Sequence, residues 1–121
     1  MSKDLRIERW REVYPPNPAV LRYKLSNEGY SIFHWVDHAG TVYGIHKHDT
    51  DQTHWIISGE LEISLENGFT YSLKAGDRDY MPAETWHKAR VVGDESVNYM
   101  VGEKIKAEKK KRKRGRPKKN I

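Results

Sequence analysis

Residues 44–61 read GIHKHDTDQTHWIISGEL, and the reading of this stretch decides the fold. His46, His48 and His54 fall within nine residues of a 121-residue chain that has six histidines in all. On a β-strand, residues two apart face the same side, so His46 and His48 present two imidazoles along one edge. Imidazole is the commonest metal ligand, and two of them side by side make part of a metal site. A third donor has to come from elsewhere. Residues 75–91, AGDRDYMPAETWHKARV, offer His87 behind Gly76 and Pro82. The chain contains no cysteine, which excludes a disulfide framework and any thiolate zinc site. A metal here must be held by histidine and by carboxylate or amide groups.

Around this stretch, residues 21–101 break into short runs rich in Tyr, Ile, Val, Trp and Thr, separated by Gly, Asp and Asn. That pattern belongs to an all-β sandwich or barrel. The spacing predicts strands over residues 22–25, 30–36, 41–46, 53–57, 60–65, 69–73, 79–81, 86–92 and 97–101. Residues 60–73, ELEISLENGFTYSL, alternate Leu61, Ile63 and Leu65 with Glu62, Ser64 and Glu66, then turn at Asn67-Gly68. An Asn-Gly pair accepts the positive φ angles of a type I′ turn, so a two-residue hairpin is expected. The first 20 residues run into YPPNP, whose prolines stop a continuing helix and leave a short helix or edge strand leading into a loop.

The two histidine-bearing segments resemble the two motifs of the cupin superfamily, small jelly-roll β-barrels that hold a metal inside the barrel. In that family the first motif runs Gly, His-x-His, three or four residues, Glu, six residues, Gly. This chain shows Gly40, His46, His48, Gln52 where Glu is usual, and Gly59. The second motif runs Gly, five residues, Pro-x-Gly, two residues, His, three residues, Asn. Here it is met by Gly76, Pro82 and His87, with Glu84 in place of the inner Gly and Val91 in place of Asn. The resemblance covers residues 40–91 directly and implies that His46, His48 and His87 are ligands of a divalent transition metal, with Gln52 in the carboxylate position. His54 shares the face of Gln52 on a regular strand, so a four-histidine site stands beside the three-histidine one. Imidazole-rich sites suit Zn, Fe, Mn, Ni or Cu. Without a carboxylate in the donor set, the full charge of the ion faces the cavity and favours a small anionic ligand.

The net charge of +5 divides unevenly: residues 1–102 carry −4 and residues 103–121 carry +9. Three parts follow: an N-terminal extension over 1–20, a cupin barrel over 21–102, and a solvated basic tail over 103–121. Within the tail, Arg114-Gly115-Arg116-Pro117 resembles an AT-hook, which enters the narrow minor groove of A·T-rich DNA. Lys113, Lys118 and Lys119 flank it and would supply salt-dependent phosphate contacts, so Lys113, Arg114, Gly115, Arg116, Pro117, Lys118 and Lys119 form the candidate DNA-binding segment.

No apolar run approaches the roughly 18 residues of a membrane span, so no membrane partner is expected. The expected location is the cytoplasm, associated with the nucleoid, or the nucleus of a nucleated cell. The resemblance also implies a homodimer. Three functions remain open. One is a DNA-associated sensor that binds a small anionic metabolite. Another is a small metal-dependent enzyme, a dioxygenase, isomerase or lyase acting on a small carboxylate. The last is a metal-free dimerisation scaffold. Asp49 and Asp51 read as turn residues, and no carboxylate pair or Ser-His-Asp arrangement is visible, so any chemistry would be driven by the metal.

Overall fold

The computed structural model describes residues 4–104. Residues 113–119, the expected DNA-binding segment, lie outside the described residues. The order of elements is β1 (Arg6–Glu8), α1 (Pro18–Asn27), β2 (Tyr30–Asp37), β3 (Val42–His46), β4 (Gln52–Ser58), β5 (Leu61–Leu65), β6 (Thr70–Leu73), β7 (Arg78–Met81), β8 (His87–Val91) and β9 (Val97–Lys104). They form two antiparallel sheets, one ordered β1-β7-β4-β9-β2 and the other β3-β8-β5-β6. The all-β jelly-roll expectation holds.

The core lies between the sheets. Strand alternation sends Leu61 and Ile63 of β5 inward to meet Ile56 of β4 and Val97, Tyr99 and Val101 of β9, all buried. A second, smaller core covers the outer face of the five-stranded sheet, where Leu21 and Leu25 pack on Trp55 and Met100.

Residues 22–25 were expected as a strand and are helical instead. Asn17 caps the helix, its side-chain oxygen accepting from the backbone N–H groups of Ala19 (2.9 Å) and Val20 (3.3 Å), and Pro18 occupies the first turn. Leu21 and Leu25, one turn apart, form the buried stripe. The N-terminal extension contributes an edge strand, β1, paired to β7. Beyond β1, Arg9 and the Trp10 backbone N–H both bond to Asp77 at 2.9 Å, and the Trp10 ring lies against Gly76. A Cβ on Gly76 would sit 2.1 Å from that ring, and its φ is +88°, so both space and backbone conformation call for glycine there.

The 60–73 hairpin forms, with a different turn from the one expected. Gly68 N–H bonds to Leu65 C=O, Leu65 N–H bonds to Phe69 C=O, and only Gly68 takes a positive φ, +96°. This is a three-residue connection closed by a left-handed glycine, not a two-residue type I′ turn. Asn67 instead accepts the Phe69 N–H through its side chain (2.9 Å). Strand β9 continues three residues past its expected end, because Gly102 lets the backbone pass close to Thr53 and Tyr30.

Candidate metal centre

The two sheets contribute opposite walls of one interior site. His46 and His87 are direct register partners on β3 and β8, while β4 turns Gln52, His54 and Ile56 inward. Between the pairs Tyr43–Ala89 and His46–His87, β3 holds one residue more than β8, a β-bulge. Tyr43 and His46 are an odd number of residues apart, and a regular strand would face them oppositely. The bulge turns both toward the same cavity. Strand β3 ends at His46, so His48 lies on the loop beyond it, not on the strand as expected. The loop still brings its ring to the other two, with centroid separations of 5.0 Å to His46 and 5.3 Å to His87, against 4.2 Å between His46 and His87.

One ring nitrogen from each of His46, His48 and His87 lies within 4.8 Å of the others. Nitrogens on one tetrahedral zinc-like ion lie about 3.4 Å apart, so the rings need draw in by no more than roughly 1.4 Å. Two rings are already oriented from behind. His46 donates Nδ1–H to Gly44 C=O at 2.6 Å and His87 donates Nδ1–H to Thr85 C=O at 2.8 Å, which leaves Nε2 as the inward lone pair. Burial pushes His87 down to about 4, keeping it neutral and able to ligate at neutral pH.

Gln52 supplies the sharpest observation. Its side chain is buried, with 1% of the residue exposed, and among the described residues neither amide atom has a hydrogen-bond partner. Leaving such groups unmet costs about 1–3 kcal/mol each, so this buried amide, on the same side of β4 as His54, calls for a partner. The three imidazoles therefore fit one divalent metal ion held by His46, His48 and His87.

His54 is placed differently. It lies outside the group of three and on the wall of the same cavity, with Nδ1 turned to Asp79 at 3.0 Å. Asp79 is fully buried and also accepts from the His54 backbone N–H (2.8 Å) and the Tyr71 hydroxyl (2.7 Å). Burial alone would lower His54, but attraction to the Asp79 carboxylate raises it, while burial and that same carboxylate push Tyr71 up. Burial would raise Asp79, and the His54 charge and hydrogen bonds hold it below the usual carboxylate range. Sequence reasoning missed Asp79 and Tyr71. Their signal was alternation, since residues 71, 73, 79 and 81 all face inward. The cavity between these walls is about 10 Å³, room for one water or one ion.

The two histidine-bearing segments are tied together outside the cavity. Glu84 N–H bonds to His48 C=O at 2.7 Å, Ala83 N–H bonds to Asp51 Oδ1 at 2.8 Å, and Lys47 Nζ meets Glu84 Oε1 at 2.7 Å. Asp51, expected as a plain turn residue, thus joins the segments. Glu84 stands where the cupin motif has glycine and keeps a left-handed backbone, φ +65°. That conformation costs a non-glycine residue about 1–2 kcal/mol. An exposed ion pair returns about 0–1 kcal/mol, so the Lys47–Glu84 contact does not offset it.

A Cupin domain model matches residues 33–102, more than half of the chain, across both motifs. The chain belongs to the cupin family. Solved structures place this cupin among similar barrels. A DMSP lyase, DddQ, from Ruegeria pomeroyi DSS-3 superposes with a TM-score of 0.59 at 24% identity, over 66% of this chain and 40% of that one. An uncharacterized conserved protein with a double-stranded β-helix domain from Klebsiella pneumoniae subsp. pneumoniae MGH 78578 gives 0.55 at 30%, over 63% and 67%. A DUF861 family protein from Thermotoga maritima gives 0.54 at 24%, over 81% and 97%. This cupin spans less than half the length of the lyase chain, and the likeness to it is one of fold. No curated protein sequence matches the chain. Among the described residues no helix is long and apolar enough to cross a membrane.

Proposed function

We propose that this cupin binds one divalent transition-metal ion through His46, His48 and His87, with the Gln52 oxygen as a fourth protein donor, and presents it to a small anionic ligand. The observation that supports this reading is the cluster of ring nitrogens from His46, His48 and His87 within 4.8 Å of one another, and the Gln52 amide, buried on the inward side of β4 without a partner among the described residues, is offered as the fourth donor. When bound, the ion supplies a Lewis acid at the cavity, and Zn, Fe, Mn, Ni and Cu all suit an imidazole-rich set. The chain's own residues do the rest. The Gly44 and Thr85 carbonyls orient two rings, and burial keeps His87 neutral. A donor set without carboxylate leaves the charge of the ion to attract an anion. Because the cavity has room for one water, an organic anion would bind outside it. Titrating metal-free protein with cobalt(II) tests this directly. The visible absorbance should saturate at one equivalent in the wild type and be absent in His87→Ala; no cobalt signal in the wild type would remove the reading.

The tail belongs to the same proposal as a separate part. Lys113, Arg114, Gly115, Arg116, Pro117, Lys118 and Lys119 would hold A·T-rich DNA through the minor groove, and a homodimer would gain from carrying two tails. Deleting residues 109–121 should abolish binding to an A·T-rich duplex while the barrel stays folded. Unchanged affinity would discard this part alone.

A second reading, a small metal-dependent enzyme acting as a dioxygenase, isomerase or lyase on a small carboxylate, is favoured by one observation. His54, held by Asp79, lines the cavity beside His46 and His87 and so adds a polar group beyond the ligand set. Product formation from a panel of small carboxylates should then vanish in His48→Ala, and turnover that survives would exclude it.

A further inference from the structure

The Lys47–Glu84 contact has features that packing does not explain. Lys47 sits between the two histidines of the first motif, and Glu84 sits three residues before His87 in the second. Lys47, Glu84 and Trp86 are solvent-exposed, whereas His87 is buried and His48 half-buried, so the contact lies on the solvent side of the site. The Lys47 ammonium also rests over the Trp86 ring, 5.2 Å from its centroid, which holds it on the Glu84 side. Glu84 accepts a left-handed backbone to make this contact, at a position where glycine would be free of strain. Strain kept without a stabilising return points to a role.

We propose that Lys47 and Glu84 form an electrostatic latch that joins the two ligand-bearing segments and sets how fast the site opens to release or exchange what the histidines hold. The inference rests on the metal-binding reading. Beside the β3–β8 ladder, the Glu84 N–H to His48 bond runs between backbone groups and the Ala83 N–H to Asp51 bond does not involve residue 84's side chain, so these are available whatever side chain stands at 84. The Lys47–Glu84 pair joins two exposed charged side chains, so salt or substitution at either residue opens it. Its residues are positioning groups, since they act on the site through the histidine segments and not by touching the metal.

The test is the rate at which metal-loaded protein gives up cobalt(II) to excess chelator, followed by stopped-flow absorbance. Lys47→Met and Glu84→Gln should each accelerate release about two- to fivefold, the range expected from an exposed ion pair. The double variant should be no faster than either single one, because the two side chains act as a unit. Raising salt should accelerate release from the wild type and leave Lys47→Met unchanged. Glu84→Gly separates the latch from a structural role: its thermal midpoint should be unchanged or higher, while release is still accelerated. Release rates unchanged in both single variants, or effects that multiply independently in the double variant, would overturn the latch and leave the metal site standing. A wild type that takes up no metal would overturn both.

Discussion

The two faces of the sheet containing β4 and β7 each bury a strongly polar side chain, and they treat it in opposite ways. On the outer face Arg78, only 2% exposed, is fully met: Glu28 takes two of its nitrogens at 2.7 and 3.4 Å, the Thr53 hydroxyl takes Nε at 2.9 Å, and the rings of Tyr80 and Trp55 lie 4.2 and 4.3 Å away. On the inner face Gln52, buried as deeply, has neither amide atom met. A buried polar group that the chain satisfies by itself is architecture, here clamping the end of α1 to the sheet. One that the described residues leave unmet calls for a partner beyond them.

The contrast breaks most visibly on the outer face. Arg78→Ala should cost about 3 kcal/mol of stability, since it strips a buried cation from its partners and leaves a void, and urea unfolding of metal-free protein would measure it. Leu25→Ala, under the same helix, should cost about 2–3 kcal/mol by cavity formation alone. The inner face should respond with the opposite sign. Gln52→Leu removes two unmet polar atoms from the interior, so metal-free protein should be unchanged or about 1 kcal/mol more stable, while the rise in thermal midpoint on adding metal shrinks. A marked loss of stability in metal-free Gln52→Leu would mean that the amide serves the fold.

Gln52→Glu sharpens the same point by charge. It should tighten metal binding and weaken the binding of a small anion such as azide or formate, both readable by calorimetry. The smallest expected effect is in pH. His87 falls to about 4 in the folded chain through burial, below the ordinary value near 6.5 it regains on unfolding. The unfolded chain therefore binds the proton more readily between those values, and this group's contribution, fully present above about pH 6.5, is lost as pH falls toward 4. Thermal midpoints of metal-free protein across that window should decline less steeply in His87→Asn.

Much of the barrel was legible because strand alternation is a period-2 signal. Leu61, Ile63 and Leu65 against Tyr71 and Leu73 locate the hairpin and its inward face without further help. The helix was missed although its marks were present. Asn17-Pro18 is a capping pair, Leu21 and Leu25 keep helical spacing and Gly29 follows the end, yet the YPPNP run reads first as a breaker. The turn at Asn67-Gly68 shows a different limit: the dipeptide allows two turn types, and the register of Ser64 with Thr70 selects between them. At the site, the motif spacing picked out His46, His48 and His87, whose rings the fold brings together. It could not show the β3 bulge, which depends on pairing with β8, nor that Asp79 meets His54 and Tyr71 meets Asp79. Those residues come from β7 and β6, distant in sequence and adjacent only once the sheets close. Glu84 was visible as a departure from the motif, but its meaning needed the backbone angle and the Lys47 contact.

The central claim is that the unmet amide and the three imidazoles are one metal site. Elemental mass spectrometry of untagged protein purified without added metal, beside a His46→Ala/His48→Ala variant, tests it most directly. The account predicts close to one equivalent of a single divalent transition metal in the wild type and none in the variant. No metal in either, or the same metal content in both, would contradict it.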